Sequence, residues 1–159
     1  MTDNKQDIKV LLATEEDIPA ILDIALRFWK ESPTYSLRPL NLDKVKRHFK
    51  SLIKGDDGIV LKAIDKDGNV LGGFCGGLIE EWQADSLMAF DYGIFVNPDK
   101  RGGASASLLI NAFLFWAKAS GATYVQCGTA TQINTERTIK FYEKMGFNVV
   151  GSFLERELQ

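Results

Sequence analysis

Two segments of the chain carry residue types and spacings suited to chemistry. The first is IFVNPDKRGGASASLL, residues 94–109. A strand-like run ends at a proline, and a glycine-rich turn then opens a helical pattern. The first turn of a helix presents unpaired N–H groups and the positive end of the peptide dipole. Glycines let the backbone bend and approach phosphate oxygens. Gly102, Gly103, Ala104, Ser105, Ala106 and Ser107 are all small, so nothing bulky blocks a diphosphate, and Arg101 adds a cation at the mouth. The segment is not a P-loop, because no Lys followed by Ser or Thr comes after its last glycine. The spaced glycines and following acidic residue of a dinucleotide fingerprint are absent too. Taken alone, the residues allow either an anion site or a flexible turn before a helix.

The second segment is NTERTIKFYEKMGF, residues 134–147. Ile139, Tyr142 and Met145 fall three apart, which places Tyr142 near one edge of a buried helical face. A tyrosine hydroxyl, with an ordinary pKa of about 10, can donate a proton to a departing group. A core tyrosine with its hydroxyl at the surface is the plainer alternative.

The elements that must position these segments follow from periodicity. Residues 8–13 read as a first strand. Thr14 and Asp17 resemble a capping box ahead of a helix with Ile18, Ile21, Leu22, Ala25 and Trp29 on one stripe. Pro33 stops that helix. Asn41 caps a second helix from about Leu42 to Ile53. Residues 59–65 and 70–82 flank the hairpin signal DKDGN. Gly72, Gly73, Gly76 and Gly77 suggest close backbone approach or a bulge. Residues 86–96 form a third strand of this group and 104–119 a helix. Residues 123–128 form a short strand, 136–145 a helix ending before Gly146, and 147–154 a last strand. The order β-α-α-β-β-β-α-β-α-β predicts an α/β (α+β) fold. Its central sheet is mixed and largely antiparallel, with helices on both faces.

Composition bounds the rest. The 159 residues suit one domain spanning 1–159, and 45% hydrophobic with 25% charged residues is ordinary for a globular chain. A net charge of −2 disfavours broad nucleic-acid binding. Cys75 and Cys127 sit in apolar runs and read as buried small hydrophobes. The lone His48 has no second imidazole to make a metal site with it, so no metal is expected. The N-terminus has no signal-like apolar region, and no run reaches the length of a membrane span. A cytoplasmic protein without membrane contact is the expectation.

Together the two segments resemble the GNAT superfamily of acyl-CoA-dependent N-acyltransferases. The resemblance runs through the order of elements and is most specific between Ile94 and Phe147. The family's pyrophosphate motif is Arg or Gln, two residues, Gly, one residue, then Gly or Ala. It is matched by Arg101-Gly102-Gly103-Ala104-Ser105-Ala106, with Ala104 where Gly is usual. The family's second motif, an Asn, an Ala, an aromatic-Tyr pair and a Gly-Phe ending, is matched at 141–147. Here Thr138 stands at the Ala position and Thr135 at the Asn position, one after Asn134. The resemblance implies acetyl-CoA as co-substrate, held by Ile94, Phe95 and Val96, by residues 101–107, and by Asn134, Thr135 and Tyr142. It implies Tyr142 as general acid, with Gly93 helping the strand to bulge.

The reaction implied is attack by a neutral primary amine on the thioester in a ternary complex, with strand N–H groups near Phe95 and Val96 polarising the carbonyl. Asp91 and Glu80 are candidate bases, and Tyr92 is an alternative inward residue. The acceptor is a small-molecule or protein amine. The acidic edge Glu80, Glu81 and Asp85 would suit a cationic one. Two other readings stand beside this one. A CoA-binding or protein-interaction module without catalysis would share the fold. An enzyme acting on protein or charged tRNA is a second, though a pI of 5.5 disfavours tRNA. The resemblance also allows a homodimer through a shared sheet edge.

Overall fold

In a computed structural model, which describes residues 7–159, a five-stranded sheet runs in the order β1 to β5. Its strands are β1 (Lys9–Leu12), β2 (Gly58–Ile64), β3 (Val70–Glu80), β4 (Leu87–Val96) and β5 (Ala122–Gln126). The first four pair antiparallel and β5 joins β4 in parallel. The mixed, mainly antiparallel sheet is the one the sequence pattern predicts.

Helices α1 (Ile18–Glu31) and α2 (Leu42–Lys54) cover one face. Helices α3 (Ser105–Ala119) and α4 (Thr135–Lys144) cover the other. Each face is a separate apolar cluster. Ile18, Ile21 and Leu22 of α1 and Phe49 and Leu52 of α2 meet Val60 and Cys75. Leu109, Ile110 and Phe113 of α3 and Tyr142 of α4 meet Leu61, Phe74 and Ala89. Strand alternation divides the residues this way, since successive side chains point to opposite faces.

The helix starts obey their caps. The Asp17 carboxylate accepts from the Thr14 N–H at 2.8 Å and, on its other oxygen, from Lys62 Nζ at 2.7 Å. The head of α1 is thereby tied to β2. Asn41 Oδ1 accepts from the Lys44 N–H at 3.0 Å and opens α2. Cys75 is buried, Cys127 partly so, and both are free thiols.

Helix α4 ends in a motif that fixes Tyr142. Gly146 adopts φ +90, its N–H donates to the Glu143 carbonyl at 3.0 Å, and the Phe147 N–H donates to the Tyr142 carbonyl at 3.1 Å. These two bonds are the Schellman pattern, in which a left-handed residue closes the last turn. The Phe147 ring then lies edge-on to the Tyr142 ring, with centroids 5.3 Å apart. The Met-Gly-Phe ending is therefore a clamp on the tyrosine.

One expected element is missing. Residues 147–154 form no strand; the segment is irregular and mostly exposed, with Phe153 at 85% and Leu154 at 96%. Period-two apolarity predicts a strand only where a partner edge and a covering layer meet it, and here neither does. The tail instead runs near Gly128, which faces the Phe153 ring, and Glu155 pairs with Arg38.

Gly146→Ala is expected to cost about 1–2 kcal/mol, the penalty of a left-handed residue with a Cβ. Gly151→Ala, in open space without positive φ, is expected to change nothing. Thermal unfolding of the two variants measures the difference.

Candidate functional site

Strands β4 and β5 run side by side only from Leu87 to Phe90, opposite Ala122 to Gln126. Beyond that point they part. The cause lies in β4. Cys75 of β3 pairs with Gly93, and the next residue, Gly76, pairs with Asp91, so Tyr92 is an extra residue opposite no partner. Such a bulge bends the strand and raises its twist. Gly93 permits it: a Cβ there would sit 2.5 Å from the Phe95 ring, which folds back across it.

Past the bulge, the edge of β4 that β5 has left is unpaired. The Asn97 N–H donates to the Leu71 carbonyl at 2.8 Å, so by alternation Phe95 also turns its backbone toward β3. Ile94 and Val96 therefore aim their N–H groups into the gap. Of the two residues expected to polarise a carbonyl, Val96 faces the gap and Phe95 does not. The Phe95 ring packs edge-on to Phe28 of α1 at 5.5 Å.

The floor of the fork is polar. Asp91 Oδ1 accepts from the Gly128 N–H at 3.2 Å, spanning the two strands where they separate. Burial pushes the Asp91 carboxyl up to about 6, against the Gly128 N–H bond that favours its charged form. Tyr142 lies beneath, 7% exposed, with its hydroxyl buried and no oxygen or nitrogen partner, only the weakly bonding Cys127 thiol beside it. Burial raises its pKa strongly, and the neighbouring Cys127 and Asp91 raise it further. The hydroxyl thus keeps its proton at any ordinary pH. Burial and Asp91 push Cys75 up to about 12 and likewise raise Cys127, so neither thiol is a nucleophile at neutral pH.

At the far end of the gap stands the head of α3. Gly102 has φ +90, and Ala104 precedes the helix with no side-chain cap. No side-chain hydrogen bond caps the first-turn N–H groups. Ala104 is right-handed (φ −86), a conformation any residue adopts, and its methyl packs against the core. Glycine is needed at 102, not at 104. Ser105 is buried, and Ser107 Oγ donates to the Ala104 carbonyl at 3.0 Å.

Arg101 differs from expectation. Its side chain turns onto α1, where Nη1 meets Glu31 Oε1 at 2.6 Å, Nε approaches the Val96 carbonyl at 3.4 Å, and the guanidinium lies 5.8 Å from the Phe28 ring. The bond from Arg101 holds the Glu31 carboxyl below its ordinary range. A charge-assisted bond to a carboxylate outweighs an open position at the mouth. The cation beside Gly102 is Arg137 of α4, whose guanidinium lies 3.7 Å from where a Gly102 Cβ would be. Sequence reasoning missed it. The signal was a cation in a helix's first turn, where the dipole disfavours one unless an anion shares the place.

Asn134 and Thr135 open α4. Asn134 is left-handed at φ 45, makes no side-chain cap, and gives its carbonyl to Thr138. Glu80 stands apart. It is exposed and pairs with Leu87, four residues along β4 from Asp91, or about 13 Å at strand spacing. Asp91, Tyr142 and the β4 edge come together; Glu80 does not join them. Glu81 and Asp85 lie in the same distant turn, beside an exposed Trp82. Tyr92 is half exposed on the α2 side, with the His48 ring edge-on to it at 4.4 Å. Among the described residues no helix is long and apolar enough to cross a membrane.

Comparison with known proteins agrees with this geometry. No curated protein sequence matches the chain. Among solved structures, a mutant form of the BH1408 protein from Bacillus halodurans is 15% identical at TM-score 0.80, with 95% of this chain and 99% of that one covered. AAC(6')-Iy, in complex with the bisubstrate analogue CoA-S-monomethyl-acetylneamine, is 17% identical at TM-score 0.76, covering 96% and 98%. The aminoglycoside 6'-N-acetyltransferase AAC(6')-Ih from Acinetobacter baumannii is 18% identical at TM-score 0.74, also covering 96% and 98%. At these identities the likeness is one of fold. The model of the acetyltransferase (GNAT) family matches residues 18–147. With most of its length inside that match, and with a forked sheet opening onto an uncapped helix start, the chain belongs to the GNAT acetyltransferase family.

Proposed function

We propose that the chain, as one domain over residues 1–159, transfers an acetyl group from acetyl-CoA to a primary amine by direct attack in a ternary complex. The observation that carries this reading is the buried Tyr142 hydroxyl, which has no partner stronger than the weakly bonding Cys127 thiol. An unsatisfied buried donor costs about 1–3 kcal/mol. A donor held at the fork is useful if negative charge develops there during turnover.

The residues divide the work along the gap. The first-turn N–H groups of α3, the Gly102-Gly103 turn and Arg137 suit a diphosphate. The Ile94 and Val96 backbone groups suit an extended amide-bearing arm and a thioester carbonyl. Asn134 and Thr135 border the same arm. Acetyl-CoA, when bound, supplies the activated acyl group and a thiol that leaves. Tyr142 then offers its proton to the sulfur as the C–S bond breaks, and Asp91 accepts the proton released by the amine nitrogen. A carboxylic acid with a pKa of about 6 readily returns a proton to a phenolate, which resets both groups. Aminoglycoside acetyltransferases among the similar structures support a small-molecule amine as acceptor.

Three outcomes are expected. Acetyl-CoA at millimolar concentration raises the melting temperature, because it binds only the folded chain; no shift would remove the cofactor assignment. Tyr142→Phe lowers kcat by about 100-fold or more while melting at the same or a higher temperature. An unchanged kcat in a standard CoA-thiol release assay would take Tyr142 out of the mechanism.

The third outcome concerns pH. The working form of Asp91 is ionised, so kcat/KM falls as pH drops below about 6, and Asp91→Asn abolishes that limb. The folded pKa of Asp91 lies above the ordinary 3.8, so the folded chain holds this proton more tightly than the unfolded one. Its contribution to stability is therefore greatest below 3.8 and is lost as pH rises through 6. Asp91→Asn should raise the melting temperature at pH 7.5 and change it little at pH 4.

A further inference from the structure

Of the two free thiols, Cys75 and Cys127, only the second lies with the site, and the sheet puts it there. Phe90 pairs with Gln126, so Asp91 and Cys127 are the next residues on the two strands as they part. Ala89 and Val125 pair and both pack on the α3–α4 face, and alternation returns Asp91 and Cys127 to that face. Cys127 packs in the same apolar cluster as Tyr142, with its thiol beside the Tyr142 hydroxyl. Cys75 belongs to the cluster on the other face and donates to the Gly93 carbonyl at 3.8 Å. The ring and the hydroxyl of Tyr142 are held by different means. Phe141 and Phe147 stand edge-on to the ring at 5.4 and 5.3 Å, which fixes where the oxygen lies. Neither ring has a polar atom, so the torsion of the O–H bond is left to what adjoins the oxygen. No nitrogen or oxygen does so among the described residues, and Asp91 turns Oδ1 to the Gly128 N–H instead. The neighbour that remains is the sulfur of Cys127.

We infer that Cys127 is a positioning residue for Tyr142: its sulfur accepts the phenolic O–H before turnover, and its S–H turns to donate to the phenolate oxygen once that proton has left. This deepens the acetyltransferase reading and rests on it. A thiol suits the task because it is both a weak acceptor and a weak donor. A carboxylate in its place would hold the hydroxyl by a charge-assisted bond, about twice as strong as a neutral one. That bond would have to break before the proton could go to the leaving sulfur. A valine would fill the same apolar space and offer neither bond. Burial, with Asp91 nearby, keeps Cys127 itself protonated, so its S–H is available when the phenolic oxygen becomes negative. The apolar surroundings account for a small residue at 127; the hydroxyl beside it accounts for a sulfur.

The contact is tested first without substrate, by the infrared S–H stretch. The band that disappears in Cys127→Val is expected to shift in Tyr142→Phe, while the band of Cys75, bonded on the other face, stays where it is. The function is tested by CoA-thiol release with phenethylamine, phenylalanine or neamine, taking whichever reacts fastest. Cys127→Val is expected to lower kcat about three- to tenfold, the size of one net hydrogen bond, with KM for acetyl-CoA unchanged. Cys127→Ser keeps a donor and an acceptor and should recover most of that loss. Added to Tyr142→Phe, Cys127→Val should have no further effect, because the two side chains act as a unit. An S–H band indifferent to Tyr142→Phe overturns the inference. So does a natural kcat in Cys127→Val, a Cys127→Ser no better than Cys127→Val, or an equal further loss in Tyr142→Phe. Where a variant melts early or none of the amines reacts, the S–H band decides alone. An acetyl-CoA-induced rise in the melting temperature of the natural chain separates these failures from failure of the acetyltransferase reading, which falls if the rise is absent.

Discussion

Strands in a sheet normally exhaust each other's hydrogen bonds, and a functional cleft needs a place where they do not. In this protein that place is made by one residue. Tyr92 has no partner in β3, and inserting it turns the second half of β4 away from β5. Beyond Asp91, the Ile94 and Val96 N–H groups that would have bonded to β5 face a gap, while the Val96 carbonyl is met by Arg101 Nε. The fork also decides what surrounds it. Asp91 is the last residue before the bulge, and its carboxylate reaches across to Gly128. Helix α3 starts where the far end of β4 releases the chain.

The remaining architecture holds that fork open. The Phe28–Phe95 contact and the Arg101–Glu31 pair tie the diverging half of β4 to α1. The same ion pair turns Arg101 away from the loop and onto the strand, and Arg137 stands beside the loop. On the other face, the Schellman ending of α4 and the Phe147 ring hold Tyr142 under the fork. Conformational demands and chemical ones coincide at these points. Gly93 yields room to the Phe95 ring, and Gly146 turns the chain so that Phe147 can clamp the tyrosine.

The two sides of the bulge have different electrostatic characters. Asp91, Cys127 and Tyr142 form a largely covered group on the α4 side, where loss of solvent favours neutral forms and raises all three pKa values. On the α2 side, His48 and Tyr92 are only partly covered. The first environment suits proton handling.

Much of this was legible in the sequence, and the reason is local. Helix periodicity, the Asn41 cap, the DKDGN hairpin and the glycine-rich start of α3 depend on residues close together in the chain, so α1 to α4 and β1 to β5 fall within a residue or two of expectation. The tyrosine helix and the 101–107 loop were readable for the same reason. Long-range matters were not. The tail at 147–154 has strand-like apolarity but no partner edge, so its pattern had nothing to act on. Arg101 has the sequence position of a phosphate ligand, yet Glu31, seventy residues earlier, claims it. Glu80 and Asp91 are equal as carboxylates until the register places one at the fork and the other four residues down the strand. His48 and Arg137 gain meaning only from what lies opposite them. Sequence determined which elements form, because propensity and periodicity are written in neighbouring residues. Tertiary structure alone decided which side chains meet, because pairing register and packing join residues that no local spacing connects.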